Sequence, residues 1–108
     1  MALYLLQARY TTEGVRGLLK EGGSKRRVVV QKMLEQAGGR LHAMYYSLGE
    51  DDVHLIAEVP DNTTAAALSM AVNASGAVQL KTTALLTAEE VDAAIGRASC
   101  RERVCSVV

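Results

Sequence analysis

A chain of 108 residues with twelve basic and twelve acidic side chains has no net charge at pH 7. That length is one domain's worth, small enough that pairing with another chain adds useful stability. The charge balance argues against nucleic acid or an anionic membrane as partner, and four tyrosines with no Phe or Trp offer little for bases to stack on.

The opening MALYLLQARY has no basic n-region, and Gln7 and Arg9 interrupt its apolar stretch, so it does not read as a signal peptide. No apolar run approaches the length of a membrane span. Cytoplasm is the expected compartment. Leu3 to Arg9 reads instead as a buried strand, with Tyr4, Leu6 and Ala8 on one face and Leu3, Leu5, Gln7 and Arg9 on the other. In the next stretch, TEGVRGLLKEGGS, Gly14 and Gly17 weaken a helix, and at most a short helical turn is expected. Ser24 is a good N-cap for a helix carrying Val29, Val30, Met33, Leu34 and Ala37 at helical spacing, which Gly38-Gly39 ends. Lys25, Arg26 and Arg27 sit in its first turn, the unfavourable end for cations. They read as a solvated face, with an anion site as the alternative.

RLHAMYYSL and DVHLIAEVP read as a hairpin with Gly49 in its loop. Pro60 ends the second strand and Asp61 or Asn62 caps a second, alanine-rich helix with Ala66, Met70 and Asn73/Ala74 on one stripe. AVQLKTTALL is a fourth, β-branched strand. Thr87 and Glu90 form a capping box that opens a last helix. The order β-α-β-β-α-β predicts an α+β, ferredoxin-like fold: a four-stranded antiparallel sheet with two helices on one face.

Alternation places Val53, Leu55, Ala57 and Val59 under the helices. With a Gly49-Glu50-Asp51 loop, Tyr46 would oppose His54, Met44 would oppose Ile56 and His42 would oppose Glu58. The helix-free face then mixes apolar and polar groups: Leu5, Arg9, His42, Met44, Tyr46, His54, Ile56 and Glu58, with Lys81 and Thr83. Such a mixture suits a face half-buried against a second copy of the same sheet. It also suits a small-molecule pocket between two sheets, with His42 or His54 as acid–base or ligand-orienting groups. His54 and Glu58 are too far apart along one strand to favour a shared ion, and no metal or cofactor is expected. Glu50-Asp51-Asp52 reads as a charged, exposed hairpin tip. No nucleophile elbow or phosphate loop is present.

AGGRLHAMYYSLGEDDVHLIAEVPDN resembles the central block of the GYD domain family. The positions that carry the likeness are Gly38, Gly39, Arg40, Tyr45, Gly49, Asp52, Glu58, Pro60 and Asp61. YLLQARYTTEGVRGLL and SGAVQLKTTALLTAEE are similar to the family as well, so the resemblance spans residues 1–95. One departure is Asp51, which stands where the family's eponymous tyrosine would. The resemblance implies a fold of the dimeric α+β barrel type and a homodimer. It supplies no settled activity and no catalytic residues. Three functions are compatible with it. One is a homodimer binding a small metabolite at the sheet face, with Arg9, Met44, Ile56 and Glu58 against the ligand. Another is a cofactor-independent oxygenase or isomerase using His42, His54 or Tyr46. The third is a structural or regulatory interaction module.

The last helix, AEEVDAAI, is expected to be short, and the segment 96–108 to lie outside this domain, disordered or loosely attached and without function. IGRASCRERV, from Ile95, is similar to a translated sequencing-library adapter, and such a tail is set aside in fold reasoning. Cys100 and Cys105 fall in it, at a spacing poor for zinc or a thioredoxin-type pair, so no redox role is expected of them.

Overall fold

The computed structural model describes the backbone of residues 1–107 and the side chains of residues 1–98. In chain order the elements are β1 (Ala2–Tyr10), α1 (Thr12–Glu21), α2 (Gly23–Gln36), β2 (Arg40–Tyr46), β3 (Val53–Val59), α3 (Asn62–Ala74), β4 (Val78–Leu85) and α4 (Ala88–Val107). The strands form one sheet in the order β2-β3-β1-β4, with every described pairing antiparallel. This is the ferredoxin-like α+β arrangement.

The expected short turn after β1 is a ten-residue helix, α1. Its glycines are packing positions. A Cβ on Gly14 would collide with the carbonyl oxygen of Ala77 and lie 3.0 Å from Tyr10 Cδ1. Close approach of helix to strand, worth more than helix propensity, explains that glycine. Thr11 caps α1 by accepting from Gly14 N, and its hydroxyl donates to Gly76 O at 2.7 Å. Between α1 and α2 stands only Gly22, at φ +86, so α2 begins at Gly23 with no side-chain cap and Ser24 lies inside its first turn.

The end of α2 is a Schellman motif. Gly38 N donates to Glu35 O at 3.0 Å and Gly39 N to Leu34 O at 2.8 Å. Gly38 takes φ +81, the left-handed region that favours glycine. Asp61 caps α3, accepting from Thr64 N at 2.8 Å and Thr64 Oγ1 at 2.7 Å. These bonds hold its carboxyl below the usual carboxylate range. At α4, Glu90 N donates to Thr87 Oγ1 and Thr87 N to the Glu90 carboxylate, the reciprocal capping box. Residues 96–98 are exposed, and the side chains of Cys100 and Cys105 lie outside the described residues.

The core consists of Tyr4, Ala8, Leu34, Met44, Val53, Leu55, Ala57, Val59 and Ala65. On α3 Ala66, Met70 and Ala74 of the expected stripe face outward, Asn73 lies at the edge against β4, and Ala65, Leu68, Ser69 and Val72 turn inward. The difference is one helical position. It follows from Asn73 and Ser69, whose side chains pair with Leu80 and Thr82 of β4.

The hairpin register is shifted by one from the expected one. Tyr45 pairs with His54, Met44 with Leu55 and Tyr46 with Val53, with an irregularity between Leu41 and Ala43. The cause is the loop. It runs from Ser47 to Asp52, closed by Ser47 N donating to Asp52 O at 2.8 Å, rather than turning at three residues. A bulge at His42 absorbs the shift, so Arg40 and Leu41, upstream of it, keep the expected faces, opposite Glu58 and Ala57.

Candidate functional site

The shift divides the expected site between the two sides of the sheet. On the helix-free side lie Leu3, Leu5, Gln7 and Arg9 of β1, His54, Ile56 and Glu58 of β3, Ala43 and Tyr45 of β2, and Thr83 and Lys81 of β4. His42 joins them through the bulge, with Nε2 3.4 Å from Glu58 Oε1. Met44 and Tyr46, expected there, stand on the helix side: Met44 is buried in the core and the Tyr46 hydroxyl donates to Gly23 O at 3.0 Å.

The polar groups of the open face pair locally. Glu58 sits between His42 and Arg40, whose guanidinium is 4.0 Å away. His54 Nδ1 is 3.5 Å from Gln7 Nε2. Ile56 separates the two clusters, and four residues of strand span roughly 13 Å. His42 and His54 therefore belong to separate pairs. They do not converge on one reacting atom.

The acidic triplet is more than an exposed tip. Glu50 meets Arg9, which is 3.5 Å away and donates from Nε to the Glu50 carbonyl at 3.2 Å. Asp51 is buried, 3.6 Å from Lys81 Nζ. Asp52 accepts from Tyr10 N at 2.8 Å, and its own amide donates to Ala8 O. The hairpin loop is thus pinned to the end of β1. Asp51 contributes an ion pair with Lys81 of β4.

The concave site lies on the other side. Because α2 leans on β2 and α3 on β4, the two helices diverge over the central strands. A cavity of about 300 Å³ opens between them. Its floor is Tyr4, Leu6, Ala8, Met44, Val53, Leu55 and Ala57, and its walls are Val29, Val30, Met33 and Leu34 of α2 and Ala65, Leu68 and Val72 of α3. Most polar atoms on its lining already have partners within the fold. Tyr4 donates to Asn62, Ser69 to Ala65 O and Ser75 to Val72 O.

One end differs. Arg26 and Tyr10 border the cavity there, with Tyr46 beside Tyr10. Burial, with the neighbouring Tyr46 hydroxyl next in importance, pushes the Tyr10 phenol up to about 12. The phenol therefore keeps its proton and stays a donor. A group whose proton is held more tightly in the folded state stabilises the fold fully below the ordinary value of 10.0, and that contribution is lost as pH rises toward about 12. Tyr10→Phe is expected to lose less stability than the parent between those pH values, which parallel urea melts at the two ends would show. Equal losses would place Tyr10 in water.

Sequence reasoning missed this site, although it held a signal. Arg26 falls three, four and seven residues before Val29, Val30 and Met33, on the same helical stripe as the apolar wall. A cation at that spacing is aimed along the buried side, unlike Lys25 and Arg27, which are exposed.

Among the described residues no helix is long and apolar enough to cross a membrane. No curated protein and no solved structure gives a match. The GYD domain model matches residues 4–95, which take in nearly the whole sheet, α1 to α3 and the start of α4, and the chain belongs to that family.

Proposed function

We propose that this GYD-domain protein binds a small apolar molecule between α2, α3 and the sheet, as a carrier or sensor rather than a catalyst. One observation carries the reading: an apolar cavity of about 300 Å³ in a fold of this size. Protein interiors are close-packed, so a partly open apolar hollow of this volume between two helices and the sheet is space the chain's own side chains do not fill. A hollow at the lower end of the ~300–1,000 Å³ range of ligand sites is ready-made for an occupant. The histidines lie on the opposite side of the sheet, which favours binding over acid–base chemistry at this cavity.

The protein also pairs, on this reading, with a second copy through the open sheet face. Leu3, Leu5, Ile56 and Tyr45 supply an apolar strip there, flanked by Arg9, Lys81 and Glu58 of both signs. Ile56 and Tyr45 are 37% and 73% exposed in the single chain. An isologous face-to-face dimer would cover them.

The cavity is tested by thermal shift of the full chain with 1-decanol as probe. Binding to the folded state alone stabilises by about 2.7 kcal/mol at roughly 100 times Kd, so the melting temperature should rise with probe concentration. In Ala8→Leu a larger side chain enters the cavity floor, and the shift should vanish while the free protein stays folded. A probe that stabilises Ala8→Leu as strongly as the parent would contradict the assignment.

A further inference from the structure

We propose that the cavity's natural occupant is a monocarboxylate with an apolar body, whose head group pairs with Arg26. This rests on the reading above, that the cavity binds an apolar ligand, and adds the chemistry of one end. Arg26 Nε is a buried side-chain nitrogen with no hydrogen-bond partner, alone in this respect among the described residues. A buried donor left without a partner is costly, and native proteins seldom tolerate one without a use for it. Nη2, which shares the Nε–H edge of the guanidinium, is 3.7 Å from Glu21 Oε1, beyond hydrogen-bond distance. Arg26 also borders a hollow whose remaining lining is almost wholly apolar.

These facts select the ligand. A guanidinium edge presents Nε–H and one Nη–H side by side, which matches the two oxygens of a carboxylate. On this proposal the bound state turns that edge from Glu21 toward the cavity that Arg26 borders. Glu21 already offsets part of the positive charge, so a singly charged head group is favoured over a dianion. Behind the head group, Val29, Val30, Met33 and Leu68 offer contacts to methylene or aromatic carbons and no hydrogen bonds. A straight-chain acid and an alkyl-substituted aromatic acid share this chemistry.

The test compares matched probes on the full chain by isothermal titration. Decanoate, 1-decanol and 4-propylbenzoate share an apolar body of the right scale, and only decanol lacks the charge. Decanoate or 4-propylbenzoate should bind about tenfold or more tightly than decanol, the scale of a hydrogen bond to a charged group. The tighter of the two acids identifies the body. Arg26→Gln should weaken the acids far more than decanol and close most of the gap between them, with circular dichroism showing that the variant folds. Arg26→Lys should restore only part of it. Acids and alcohol binding equally to the parent would overturn the carboxylate assignment and leave the apolar site standing, and so would Arg26→Gln weakening all three alike. No binding by any probe would overturn both.

Discussion

Gly39→Ala should destabilise the protein by about 1–3 kcal/mol, the usual cost of forcing extra volume into a packed site. Added to Gly39, a Cβ would collide with the carbonyl oxygen of Glu58 and lie 3.0 Å from Val59 Cγ1 and 3.3 Å from Leu34 O. Two of these three neighbours are backbone and cannot swing aside. The same amide closes the Schellman motif on Leu34, so relieving the clash breaks the stop signal of α2. Leu34, 1% exposed, would move with it. For a domain of this size each kcal/mol lowers the melting temperature by roughly 4–8 °C. The adjacent Gly38 supplies the control. Its requirement is the positive φ, which Asn tolerates, and a Cβ there would meet only Pro60 Cγ at 3.4 Å. Gly38→Asn should therefore be mild and Gly39→Asn severe. Equal effects in urea melts would mean that the close approach at Glu58 carries no weight.

Ile56→Asp should convert the protein from dimer to monomer without unfolding it. Ile56 pairs with Leu5 in the middle of the open face and turns away from the core. An aspartate there would place a charge at the centre of an isologous interface, twice by symmetry, and desolvating it costs far more than the isoleucine contributed. Association should be weakened by about a hundredfold or more by an uncompensated charge at such a place. The single-chain fold should survive, because the substitution lies on the opposite side of the sheet from Leu55 and Ala57. Sedimentation equilibrium with circular dichroism reads both outcomes. A parent that sediments as a monomer, or an Ile56→Asp protein that remains dimeric, would remove the open face as the pairing surface.

Features governed by local rules were legible in the sequence. Thr87 with Glu90, Asp61 before its helix, and Gly38-Gly39 after theirs each act within a few residues, so spacing alone reveals them. The alternation of Val53, Leu55, Ala57 and Val59 made the core face of β3 readable in the same way. The hairpin register depended on the closing pair Ser47–Asp52 and on a bulge at His42, neither of which the pattern encodes. That is why Tyr45 rather than Tyr46 shares the open face with His54. In α1 the glycines misled because their role, at Gly14, is to let Ala77 approach, a tertiary fact.

The cavity was hidden for a related reason. The alanines of α3 suggested close packing on the sheet. Ala65 on that helix and Ala8 and Ala57 on the sheet all line the hollow between α2 and α3. Small side chains on both sides of a wide spacing leave a hollow, whereas on a narrow spacing they would have closed it. Only the tertiary arrangement decides between the two outcomes. Arg26, placed among apolar neighbours at helical intervals, was the one sequence cue that this side of the helix faced something other than oil.

Where a ligand sits separates this account from the alternatives most directly. Adding 1-decanol to the isotopically labelled full chain and following methyl resonances reports both sides of the sheet in one spectrum. The account predicts that Leu34, Val53, Leu55 and Leu68 shift progressively with probe while Leu5 and Ile56 stay in place. Shifts confined to Leu5 and Ile56, with Leu34 and Leu55 unmoved, would contradict it and return the binding site to the open face around His42 and His54.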